Sequence, residues 1–271
     1  MGKGKNKYRK ILLVPIIIIV VVMIITLVLI NMNAHKSYYK IKSRTAMIND
    51  EQKKDDNDYK TIGWLIVQGT NIDMPVIVVK NEDVEYPVER EKYAWSTNPD
   101  GKFHKKMNIM GHNIFNLSPT PDIHDASFKR FEELMAFVYY DFAKENKYIQ
   151  LTMNDKDYIY KIFSVGFIPE ADVISIKKSS TTDEEIKKEL RIFKTVSLYD
   201  YDVDVTKNDK MISLITCTRF FGQGDYSDFV VTGRLLRKNE TIDNYKIKKN
   251  NHYKKIEKLW DGELENEEDV A

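Results

Sequence analysis

Only one cysteine, Cys217, occurs in the 271 residues, so no disulfide can form within the chain and the thiol calls for another explanation. An excess of one charge is missing as well. Forty-two basic residues stand against 41 acidic ones and are spread along the chain, which removes the electrostatic footprint of a nucleic-acid binder. Eleven glycines and seven prolines are too few for a low-complexity chain, and no repeat at solenoid periods is present. Long apolar runs are absent with one exception, residues 11–30.

That run is apolar from Ile11 to Ile30 apart from Thr26, and at about 1.5 Å per residue it spans a hydrocarbon core of about 30 Å. Pro15 falls in its first turn, where a missing N–H costs little. A cleaved signal peptide has an apolar region of only about 7–15 residues, so an uncleaved transmembrane anchor is expected. Lys3, Lys5, Lys7, Arg9 and Lys10 precede it without an acidic residue, which favours a cytoplasmic N-terminus. Lys36, Lys40, Lys42 and Arg44 on the other flank make that bias slight. The expected organisation is a cytoplasmic tail over 1–10, the anchor over 11–30, a polar stalk over 31–58 that is partly helical from Tyr38 to Ile48, one folded domain over 59–237, and a charged tail over 238–271.

Within the folded part, short runs rich in β-branched and aromatic residues predict strands at Ile62–Val67, Met74–Val79, Met107–Met110, Tyr148–Met153, Tyr158–Phe167, Met211–Thr216 and Phe229–Leu236. Two helices interrupt them. Phe128, Phe131, Leu134, Met135 and Val138 recur at helical spacing. Thr182 is a candidate N-cap followed by Asp183, Glu184 and Glu185, with Ile186, Leu190 and Phe193 forming one apolar face. The fold class is mainly β with flanking helices, a barrel or sandwich.

A cysteine attacks as its thiolate and needs an imidazole or another cation nearby. Cys217 ends the strand Ser213-Leu214-Ile215-Thr216-Cys217, where an apolar run gives way to Thr218 and Arg219. Against that stands the ordinary reading of a free cysteine as a small buried hydrophobe. Of five histidines, His35 lies in the stalk and His252 in the tail, which leaves His104, His112 and His124. His112 sits in Asn108-Ile109-Met110-Gly111-His112-Asn113, again at the end of an apolar strand, although a loop histidine is more often a polar surface residue.

The ordered set of anchor, Gly111-His112-Asn113, helix from Thr182, Leu214-Ile215-Thr216-Cys217 and Phe229-Val230-Val231-Thr232-Gly233-Arg234-Leu235 resembles the sortase family, and the helix between the late strands resembles the insertion of class B sortases. The resemblance covers residues 59–237 and the anchor. It implies a closed eight-stranded β-barrel and a transpeptidase on the outer face of a Gram-positive cell membrane, without a cofactor or metal. It further implies that Cys217 cleaves a surface protein's sorting signal after threonine through a thioacyl enzyme, which a cell-wall precursor or pilin amine resolves. His112 is then the acid for the leaving amine and the base for the incoming one, and Thr216 a substrate contact beside the nucleophile.

The family places an arginine at or just before the last strand, where this chain reads Tyr226-Ser227-Asp228-Phe229. Arg234 lies six residues further along, roughly 20 Å at about 3.3 Å per residue. Arg219, two residues past Cys217, is the nearer candidate, with backbone N–H groups as the alternative oxyanion donors. Two alternatives to the transpeptidase follow: an anchored, non-catalytic sortase-like domain, and a cysteine peptidase that hydrolyses the thioester. Asp122, His124 and Asp125 lack further ligands at metal spacing, Asp200, Asp202 and Asp204 lack a calcium-loop pattern and read as a solvated face, and Trp64 and Trp95 read as core or groove-wall aromatics.

Overall fold

The structure is a computed structural model that describes residues 18–27, 44–80, 93–98, 100–102, 104–113, 131–178, 182–218, 228–242 and 245–260. Residues 18–27 form a helix with exposed side chains. Among the described residues no helix is long and apolar enough to cross a membrane, and the remainder of the 11–30 run lies outside them. The compact unit begins at Arg44.

Eight strands close into a barrel: β1 (Tyr59–Val67), β2 (Asp73–Val79), β3 (Ala94–Ser96), β4 (Lys106–Met110), β5 (Tyr148–Met153), β6 (Lys156–Ile168), β8 (Met211–Cys217) and β9 (Asp228–Leu235), in the spatial order β1-β2-β3-β4-β8-β9-β6-β5 with β5 returning to β1. The neighbours are antiparallel except β2 with β3 and β4 with β8. Residues Asn154 and Asp155, at φ 50° and 59°, make the two-residue turn between β5 and β6, a left-handed pair that matches strand twist. All seven sequence-predicted strands are present. The three-residue strands β3, β7 (Tyr199–Tyr201) and β10 (Ile247–Lys249) were not foreseen, being too short to show alternation.

Two apolar clusters flank the barrel wall. Ile212 and Leu214 of β8 join Met107, Ile109, Phe229 and Val231 in the larger one. Met211 and Ile215, on the other face of the same strand, pack with Ile186, Leu190 and Phe193 of α4 (Asp183–Val196) and Ile176 of α3 (Glu170–Lys177). The predicted cap of α4 is a full capping box. Thr182 accepts from the Glu185 backbone N–H, while the Glu185 carboxylate accepts from the Thr182 N–H at 2.9 Å.

The sequence-predicted helix at Phe128–Phe137 is a 3-10 segment, Phe131–Val138, followed by α2 (Tyr140–Glu145); residues 128–130 lie outside the described range. Phe131, Leu134 and Phe137, three apart and all buried, eclipse on one face at three residues per turn, which favours the tighter helix. Two departures concern the domain's ends. Helix α1 (Thr45–Gln52) overlaps the last four residues of the expected stalk helix and runs four further, while residues 38–43 lie outside the described residues. Ile48 is buried, Gln52 donates to the Thr61 carbonyl at 3.1 Å, and Arg44 pairs with Asp73 at 2.6 Å. Residues 247–260, expected in a solvated, partly helical extension, do hold a helix, α5 (Asn251–Trp260), but it is preceded by β10 on β7 and packed rather than solvated, because Tyr245, Ile247, Tyr253 and Ile256 are all buried beneath the lysines that dominate the composition.

Candidate active site

The parallel pairing of β4 with β8 builds the site. In its register Met107 faces Ile212 and Met110 faces Ile215, so extending both strands by two residues brings His112 beside Cys217. The extension is zipped together. Gly111 donates its N–H to the Ile215 carbonyl at 3.2 Å, the Thr216 hydroxyl donates to the Gly111 carbonyl at 2.9 Å, and Asn113 Nδ2 donates to the Cys217 carbonyl at 3.0 Å. The Cys217 thiol points to the Asn113 carbonyl at 3.8 Å. Glycine is required at 111 because a Cβ there would enter the Phe131 ring.

Alternation along β8 settles which way each side chain turns. Thr216 shares the face of Ile212 and Leu214, is wholly buried and ties β8 to the His112 segment. Cys217 shares the face of Met211 and Ile215 but lies beyond the α4 cover and is exposed. A free thiol that is exposed, not buried, sets aside the reading of Cys217 as a core residue.

His112 is half-buried, and its ring rests on Trp95 of β3 with centroids 4.8 Å apart and planes tilted by 53°. Trp95 thereby becomes the wall of the site. Trp64 is a core residue whose indole donates to Asp73 at 2.5 Å. The His112 carbonyl accepts from the Phe131 N–H at 3.0 Å, so both backbone groups that flank the imidazole are anchored.

The two sequence-predicted arginines fare differently. Arg234 pairs in register with Met211, at the end of β8 remote from Cys217. It is 1% exposed and donates twice to the Glu240 carboxylate, at 2.5 and 2.6 Å. Those bonds, with Lys161 at 3.1 Å and the Arg237 N–H at 3.0 Å, hold the Glu240 carboxyl down at about 2. Arg234 is therefore a structural cation. Arg219 lies outside the described residues, as do Asp122, His124 and Asp125. Asp200, Asp202 and Asp204 are exposed, and Asp204 pairs with Arg237 at 2.9 Å. Among the described residues no group of three or more acids, histidines or cysteines could hold a metal.

Three residues near the thiol were not singled out as site members: Asn113, Asp228 and Lys177. Asn113 adjoins His112 in the motif itself. Asp228 is the residue paired with Cys217 across β9, and Lys177, at the end of α3, meets it at 2.6 Å.

The fold has counterparts among known proteins. The chain is similar to Clostridium perfringens sortase B, with 24% identity over 70% of this chain and 100% of that one at a TM-score of 0.55. It is also similar to sortase B of Staphylococcus aureus solved with its substrate (18% identity, 75% of this chain and 90% of that one, TM-score 0.54) and to sortase B of the Streptococcus pneumoniae type II pilus (18%, 69% and 96%, TM-score 0.51). No curated protein sequence matches. Residues 65–236 match the family model for the sortase domain, which is most of the chain and spans both His112 and Cys217, and the chain therefore belongs to the sortase family.

Proposed function

We propose that this protein is a membrane-anchored cysteine transpeptidase of the class B type, with Cys217 as nucleophile and His112 as proton shuttle. The observation that carries it is the joining of the β4 and β8 ends, which sets an exposed thiol and an imidazole side by side at one mouth of the barrel. Covalent acyl transfer needs that pair within hydrogen-bond reach.

In the first step the Cys217 sulfur adds to a threonine carbonyl of the sorting signal. The C–S bond forms, the peptide C–N bond breaks, and His112 gives its proton to the leaving amine. In the second an acceptor amine, from a cell-wall precursor or a pilin, attacks the thioester. The new C–N bond forms, the C–S bond breaks, and the amine's proton passes to His112. With Arg234 committed to Glu240, Arg219, two residues past Cys217 in the sequence, is the arginine this reading takes as an oxyanion donor. The class B assignment draws on α4, the helix inserted between β6 and β8, and on the class of the structural neighbours. The apolar run 11–30 and its basic flank support placement at the outer face of a cell membrane.

The deciding experiment incubates full-length protein in detergent with a peptide library in which threonine is fixed at the cleaved position, with and without amine acceptors. Intact-mass spectrometry is expected to show a single acyl adduct on Cys217 that Cys217→Ala lacks. Release by amine rather than water separates transpeptidase from peptidase. Failure of the wild type to form any adduct would leave the non-catalytic domain as the answer.

A further inference from the structure

Directly across from Cys217 in the antiparallel β8–β9 register stands Asp228. Opposed residues share a face, with Cβ atoms about 4.5–5.5 Å apart. A lone carboxylate there would repel both a thiolate and the oxyanion that grows on an attacked carbonyl. It is not alone. The Lys177 ammonium lies 2.6 Å from Asp228 Oδ2; the Asp228 side chain is 10% exposed, whereas that of Lys177 is 32% exposed.

The backbone behind Lys177 is unusually well held. Lys106 Nζ donates to the Ile176 carbonyl at 2.9 Å, the Thr97 hydroxyl and Asn108 Nδ2 donate to the Lys177 carbonyl at 2.9 and 3.1 Å, and Asn108 Nδ2 also reaches the Lys178 carbonyl at 3.0 Å. Lys106 is itself fixed by the buried Glu189 carboxylate at 2.8 Å. The donors on Lys106 and Asn108 come from β4, the strand that leads to His112. The last turn of α3 and the histidine are thus parts of one rigid frame.

We propose that Lys177 supplies a cation to the active site besides that of Arg219: Asp228 orients its ammonium, and the N–H donors not given to Asp228 bind the carbonyl oxygen that Cys217 attacks. An ammonium has three donors, and its ion pair with the Asp228 carboxylate takes up at most one of them. As the C–S bond forms, the carbonyl π pair moves to oxygen and Lys177 stabilises it by hydrogen bonds without giving up a proton. When the C–N bond breaks, the pair returns and the leaving amine takes its proton from His112. The proposal rests on the transpeptidase reading of Cys217.

The test measures the rate of acyl-adduct formation on Cys217 with the threonine-fixed peptide library, in full-length protein, for the wild type and four variants. Lys177→Met is expected to slow acylation about 10²-fold, the usual loss for one oxyanion donor, while Lys177→Arg stays within about threefold because the charge and a donor remain. Asp228→Asn, which keeps the cation but loosens its orientation, falls between them. The double replacement Lys177→Met/Asp228→Leu exchanges the ion pair for an apolar one and is expected to match wild-type thermal stability yet remain as slow as Lys177→Met. Wild-type rates in Lys177→Met, or recovery of the rate in the double replacement, would overturn the proposal, the latter by reducing Lys177 to a neutraliser of Asp228. An unreactive wild type would instead overturn the transpeptidase reading itself, and this inference with it.

Discussion

The β8–β9 pair ends twice in a cation and a carboxylate, and the two ends are opposites. At the Met211 end, Arg234 is buried and donates two bonds to Glu240, whose carboxylate also accepts from Lys161 and the Arg237 N–H. At the Cys217 end, Lys177 reaches Asp228 through one contact and remains open to solvent, beside an exposed thiol. One end spends its charges on each other; the other leaves donors to spare. The same two strands therefore carry a buried staple and an open pair beside the candidate site, and what separates them is the burial of the cation and the number of bonds it gives its carboxylate.

The contrast breaks most visibly at His112. Replacing it with alanine is expected to slow Cys217 acylation by about 10²–10⁴-fold, the usual contribution of a positioned acid or base, while the urea unfolding midpoint stays that of the wild type. Arg234→Met should do the reverse. It removes the cation of a mostly buried pair, which costs on the order of 2–3 kcal/mol in urea unfolding, below the about 3–5 kcal/mol of a wholly buried pair because Glu240 keeps contact with water. Its acylation rate under folding conditions should be unchanged. Equal effects of the two substitutions on both measurements would erase the distinction.

Acid sharpens the staple end. The folded Glu240 carboxyl titrates near 2 against an ordinary 4.5, chiefly through Arg234. Its contribution is thus complete above pH 4.5 and is lost as the pH falls towards 2, since the unfolded chain takes up the proton first. The wild-type urea midpoint should therefore fall more steeply across that window than that of Glu240→Gln. The smallest effect is expected from Thr216→Val, which keeps the shape and drops one buried hydrogen bond to Gly111. About 1 kcal/mol of stability should go, with a rate loss of less than about tenfold, since the Gly111 N–H and Asn113 bonds persist.

Much of the barrel could be read from local pattern: β-branched runs bounded by turn residues mark seven strands, and Thr182 with Glu185 announces α4. Cys217 and His112 stood out for a similar reason, each closing an apolar run. Their adjacency did not, because it depends on a parallel register between strands a hundred residues apart, which leaves no local trace. The same limit hid Lys177, whose importance comes from a reach across to β9, and the fold of residues 247–260, where lysines mask four buried apolar residues. The burial of Thr216 was equally hidden, because the motif names neighbours in sequence, whereas alternation sends neighbours to opposite faces.

The bond between Thr216 and Gly111 joins residues 105 positions apart. Contacts of such separation form slowly, since loop closure must be met before they give any return. The thiol of a partly folded chain is therefore an ordinary cysteine, without imidazole or cation beside it, until β4 and β8 have found each other. Reactivity at Cys217 is in this sense a clock for barrel closure. In refolding from urea, recovery of acylation should trail the return of far-ultraviolet circular dichroism and coincide with the burial of Trp95.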